Sequence, residues 1–141
     1  MNLPAPAPRV DAGLLVLRLA LGVILLLHGI WKVTHGVAWI AGPLSAAGLP
    51  SALAYGAYVG EVLAPLLLIF GLWPRAAALA IAFDMFMAIG LARRGDIGKI
   101  NPMSGGWAIE IEALLSFTAL AIALAGAGRY RLSPIRRGVS R

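Results

Sequence analysis

A chain of 141 residues, 60% of them hydrophobic and 13% charged, with a mean hydropathy of +0.87, lies outside the range of soluble globular domains and reads as one membrane domain, 1–141. The formal net charge of +6 does not point to nucleic acid, because the basic residues gather at segment ends and in the tail, as on a cytoplasmic membrane face. With no cysteine, disulfide exchange, iron–sulfur ligation and every other cysteine-ligated cofactor are excluded.

Residues 1–11 alternate Pro and Ala before Arg9 and Asp11 and read as a short extended arm. They lack the Lys/Arg-then-apolar order of a signal peptide, so the first apolar run, 12–33, is expected to stay as a span. From Thr34 to Pro50 the chain turns to Gly, Pro, Ser and small residues around Trp39, an interfacial loop with a short amphipathic turn. Spans two and three, 51–73 and 76–92, meet at Trp73-Pro74-Arg75, where Pro ends one helix and starts the next, so they are antiparallel neighbours. The stretch ARRGDIGKINPMSGG carries Gly and Asn-Pro turn signals and leads to a fourth span, 107–125, and a basic cytoplasmic tail, 126–141. The expected fold is all-α: an integral membrane four-helix bundle with short loops and one longer interfacial loop after the first helix.

Four spans put both termini and the Pro74 turn on one side. Arg9, Arg75, Arg129, Arg131, Arg136, Arg137 and Arg141 lie there, against Lys32, Arg93, Arg94 and Lys99 opposite. Seven against four places both termini in the cytoplasm and the chain in the inner membrane.

Ionisable groups at membrane depth cost ~2.5–3.5 kcal/mol each and are functional candidates by default. At 1.5 Å per residue, Lys32 falls near the outer rim, Glu110 about 6 Å deep, His28 and Glu112 about 8–9 Å, Asp84 about 12 Å and Glu61 about 15 Å. Arg18 is instead about 9 Å in from the cytoplasmic face. On the first helix Arg18, Gly22, Leu25, Gly29 and Lys32 form one stripe that should face the bundle, its glycines allowing close helix approach. Pro65 denies the Glu61 carbonyl its helical partner and makes a kink beside a buried acid. Glu110 and Glu112 are opposed by about 200°, so one helical face cannot hold both.

Two readings of these groups compete. In the plainer one, Arg18 pairs with Asp84 or Glu61 and Lys32 with Glu110 or Glu112, neutralising charge and fixing register; Arg18 with Asp84 is the expected structural pair. In the other, His28, Lys32, Glu61, Glu110, Glu112 and the rim residue Trp107 line an outer-half pocket for the head of a quinone-like or other amphiphilic molecule, with the tail between helices and protons passing through His28 and a carboxylate. No residue is assigned a catalytic role, and no spacing matches a metal-ligand motif. Haem is disfavoured because His28 and His35, some 10 Å apart by rise, cannot ligate one iron. The tryptophans at segment ends, Trp31, Trp39, Trp73 and Trp107, suit interface anchoring.

RLALGVILLLHGIWKV (18–33), EVLAPLLLIFGLWPR (61–75), GGWAIEIEALL (105–115) and GAGRYRLS (126–133) occur in an order that resembles the DoxX family of small four-helix membrane proteins. The resemblance implies a bundle some of whose relatives are subunits or accessories of quinone-linked respiratory or sulfur-oxidising complexes. It carries over Arg18, His28, Lys32, Glu61 and Glu110 or Glu112 as polar positions. Two features depart from it: Ser133-Pro134 stands where an Asp is common, and Asp84 is an addition.

The leading function is therefore an accessory or oxidoreductase subunit of a quinone-linked system, acting with a partner subunit because no metal or flavin motif is evident. A non-catalytic assembly or lipid-binding protein with structural ion pairs is the first alternative. A small transporter or proton conduit is the second, though the paired broken helices of transporter sites are missing. The expected partners are the lipid bilayer, a redox subunit and a second copy of the chain.

Overall fold

The computed structural model describes residues 8–132. All regular structure among them is helical, in five helices: α1 (Pro8–His35), α2 (Ala38–Ala46), α3 (Ser51–Phe70), α4 (Pro74–Ala92) and α5 (Glu110–Ala125), with a 3₁₀ turn at Arg94–Asp96. The count exceeds the expected four because the loop between the first two spans holds α2, a nine-residue helix. Helices α1, α3 and α4 are long and apolar enough to cross a membrane. Helix α5, with 16 residues, measures about 24 Å.

Helix α1 starts earlier than expected. Pro8 occupies its first position, where a missing N–H costs nothing, and Asp11 in the first turn complements the helix dipole. The extended arm is thus helical from Pro8, its first seven residues lying outside the described range. Helix α3 is composite: a 3₁₀ turn (Ser51–Tyr55), an α turn (Gly56–Tyr58), a π turn (Val59–Leu63) and an α segment (Ala64–Phe70). The widened π turn ends just before Pro65, which has no N–H to give the Glu61 carbonyl. At the far end Gly71 takes a left-handed φ of 70°, and Leu72 N–H returns to the Leu67 carbonyl, a glycine-stopped helix end. Trp73, at φ 43°, is the one non-glycine residue with positive φ among those described; Pro74 after it disfavours right-handed helical backbone there.

The core is built from the inward stripes. Leu21 and Leu25 of α1 meet Leu68 of α3, Ala78 and Ile81 of α4, and Ala119 and Ile122 of α5. The buried stripe of α1 includes Arg18, Gly22, Leu25 and Gly29, as the helical period requires. A Cβ on Gly29 would strike the Glu61 carbonyl, and one on Gly22 would meet the Ile69 side chain and the Pro65 carbonyl, so both glycines let α1 touch the kinked part of α3. Helices α4 and α5 pack on one another and bury alanines on both sides, Ala77, Ala78 and Ala82 on α4 and Ala113 and Ala119 on α5, the small residues that let membrane helices approach closely. Large apolar side chains remain outside: Val16, Leu27, Val33, Leu79, Phe83, Leu114, Phe117 and Leu124 are exposed. Helices apolar on the outside as well as the inside belong in lipid.

A second cluster of Val37, Leu44 and Ala54 joins α2 to the start of α3. At the opposite end, residues 126–132 do not run straight out of the bundle. Arg129 N–H donates to Asp11 Oδ1 at 2.9 Å, and Leu132 N–H donates to the Phe70 carbonyl. The beginning of the expected basic tail therefore closes the base, and the rest of it, with Arg136, Arg137 and Arg141, lies outside the described residues.

Candidate functional site

The expected pair of Arg18 with Asp84 is corrected by the structure. Arg18, 1% exposed, gives its donors to backbone carbonyls: Nε and Nη2 to Leu68 at 3.1 and 3.0 Å, Nη2 to Ile69 at 3.3 Å, Nη1 to Ala127 at 2.9 Å and to Tyr130 at 2.6 Å. The reason lies in helix α3, whose last carbonyls have no partner in the helix and carry the negative end of its dipole. A guanidinium with five N–H groups in a planar fork satisfies several at once. Asp84 instead lies beside Gly60, eight residues or about 12 Å along α3 from Leu68.

Asp84 belongs to a different group. A Cβ on Gly60 would occupy the place of the Asp84 carboxyl, so α4 lays this acid directly on bare α3 backbone. The next residue is Glu61, 5% exposed, held in the π turn. Its Oε1 accepts a hydrogen bond from Lys32 Nζ at 2.5 Å, and its Oε2 is buried without a partner among the described residues. Lys32 comes from the last turn of α1 and stands 5.4 Å from the centroid of the Trp39 ring of α2, within cation–π range. The expected partners of Lys32, Glu110 or Glu112, are thus replaced by Glu61.

These three charged residues line one cleft of 390 Å³. Its walls are α3 and α4, with Trp39, Ile40 and Leu44 of α2 across the end. Phe83, Met87 and Leu91 make the α4 wall apolar. Leu53, Val59 and Phe83 line the cleft and are also exposed, so it opens sideways between α3 and α4, toward the lipid-facing surface. A mostly apolar concavity with a few converging polar groups is the usual form of a small-molecule site. Its formal balance is one ammonium to two carboxylates.

Four expected pocket residues lie elsewhere. His28 is exposed on α1 and its Nδ1 bonds to the Ile24 carbonyl of its own helix. Glu110 is exposed at the start of α5 with its carboxyl against Gly106. Glu112 is 3.7 Å from Arg93 Nε, and Trp107 donates its indole N–H to the Ile97 carbonyl at 2.6 Å. No α5 residue lines the cleft, because α5 packs on α4 and α1 while the cleft lies between α4 and α3. Sequence reasoning missed Asp84 and Trp39 as site residues. The similar depths of Asp84 and Glu61, about 12 and 15 Å, together with the glycine preceding Glu61, were the available signal for the first.

Fold and site together define a small helical membrane protein with a charged cleft inside its apolar body. The model of the DoxX family, described as DoxX, matches residues 13–94, and the chain belongs to that family. The matched stretch contains Arg18, Lys32, Glu61 and Asp84 and ends before α5. Comparison with curated proteins and with solved structures gives no match.

Proposed function

We propose that α5 completes a four-span bundle in the inner membrane with both termini cytoplasmic, and that the α3–α4 cleft binds the polar head of a quinone-like amphiphile. The protein then serves as an accessory of a quinone-linked redox system, with electrons passing between the ligand and a partner subunit. One observation carries the reading: Lys32, Glu61 and Asp84 converge in an otherwise apolar cleft that is open sideways. Such a cleft receives a head by hydrogen bonds and leaves an apolar tail among the helices without passage through water.

Gly56 supplies the test. It lines the cleft, and a Cβ added there meets nothing within 4 Å, so Gly56→Leu adds bulk at the cleft wall without straining the backbone. Titrating purified protein with a short-chain quinone should quench tryptophan fluorescence saturably, through Trp39 at the cleft. Gly56→Leu should weaken this at least about tenfold, the order expected for lost contacts of a buried head. His28→Ala, outside the cleft, should leave it unchanged. Quenching that does not saturate, or that Gly56→Leu leaves intact, refutes the reading.

A further inference from the structure

The hydrogen-bonding capacity left open in the cleft is mainly acceptor capacity. Lys32 has one N–H on Glu61 Oε1 at 2.5 Å with the Trp39 ring beside it, which leaves two N–H groups against a larger number of carboxylate lone pairs. The neighbouring Tyr58 hydroxyl is also used, donating to the Lys32 carbonyl at 3.3 Å. Against this, among the described residues Glu61 Oε2 is buried and unpartnered, and Asp84 makes no ion pair or side-chain hydrogen bond. Asp84 lies against Gly60, the residue before Glu61, and both acids line the cleft. A buried acceptor without a donor is costly to leave so.

We infer that the cleft selects amphiphiles whose head donates hydrogen bonds, a phenolic hydroxyl or an ammonium, over heads that only accept them. This rests on the quinone-like reading of the same site and sharpens it: of the two redox forms the cleft holds the reduced, dihydroxy one more tightly, and the oxidised dicarbonyl form, which finds donors on Lys32 alone, less tightly. A carbonyl head brought to Glu61 Oε2 and Asp84 sets lone pair against lone pair, whereas a hydroxyl supplies the missing donor. The acid pair also disfavours anionic heads such as a fatty-acid carboxylate.

The test is a binding series in detergent with one alkyl tail and four heads: hydroquinone under anaerobic reducing conditions, the corresponding quinone, the hydroquinone dimethyl ether, and a primary alkylammonium. Calorimetry is read for each head against wild type, Gly56→Leu and Asp84→Asn. Hydroquinone and alkylammonium should each bind about tenfold or more tightly than quinone and dimethyl ether, the order for one unmet buried hydrogen bond, and whichever of the two binds tighter identifies the donor. Asp84→Asn offers an N–H in place of a bare oxygen, so the preference should shrink or reverse. Quinone or ether binding as tightly as hydroquinone, while still weakened by Gly56→Leu, overturns the donor preference and leaves the cleft as a quinone site. Binding by no head, or binding indifferent to Gly56→Leu, overturns both. The wild-type ratio alone decides the inference should Asp84→Asn fail to fold.

Discussion

Arg18 and Lys32 lie fourteen positions apart on one stripe of α1 and neutralise different things. Arg18 caps the end of α3 and draws residues 127–130 beneath it, so its role is structural: four carbonyls from two segments converge on one side chain. Arg18→Gln should lower stability by about 3 kcal/mol or more, since several charge-assisted bonds vanish and the carbonyls stay buried. Arg18→Lys should recover only part, because an ammonium cannot fork between segments. Melting in detergent checks both, and a wild-type melt for Arg18→Gln would refute the assignment. Lys32 and Glu61 form a buried ion pair, for which the arithmetic differs. Either Lys32→Met or Glu61→Leu alone leaves one buried charge unpaired and should destabilise, by roughly 3 kcal/mol, while the double variant should regain most of the loss. A double-mutant cycle reads the coupling; additive losses would show that the pair does not couple.

At the scale of elements, the contact between α1 and α3 depends on two glycines facing a kinked helix. Gly29 meets backbone, which cannot yield, whereas Gly22 meets the flexible Ile69 side chain first. Gly29→Ala should therefore cost about 3 kcal/mol and Gly22→Ala about 1 kcal/mol, the upper and lower parts of the overpacking range. Equal melting temperatures for the two variants would contradict this. The π turn of α3 is the second element with a distinct role. It holds Glu61 toward Lys32 and presents Gly60 to Asp84, so helix irregularity and site coincide, as π turns often do at functional positions.

The whole molecule has an asymmetric design, closed at the base and open at the side. At the base, Asp11, Arg18 and residues 126–132 tie the start of α1 to the ends of α3 and α5. At the other end α2 packs over the start of α3, and the cleft opens between α3 and α4. The proposed orientation places the loop before α5 outside the cytoplasm. Met103, 97% exposed on that loop, gives a direct check because the chain has no cysteine of its own. Met103→Cys should react with a membrane-impermeant maleimide from the non-cytoplasmic side in intact cells, before lysis. Labelling only after lysis would invert the topology.

Much of this architecture was legible in the sequence. Apolar length marks the first three spans, Trp73-Pro74 places the turn between α3 and α4, and the helical period puts Arg18, Gly22, Leu25, Gly29 and Lys32 on one buried face. Pro65 located the irregularity beside Glu61. The site was only partly legible. Counting along helices gives depth but no information about which helices stand side by side, and six ionisable groups at overlapping depths allow several pairings. Tertiary packing decided among them: α5 lies against α4 and α1, which removes Glu110 and Glu112 from the cleft, and the bare backbone of Gly60 admits Asp84 to the cleft that Glu61 also lines. It also turned Arg18 from an ion-pair residue into a carbonyl cap, because the partners it found were backbone groups at a helix end, which every residue carries and no residue type announces.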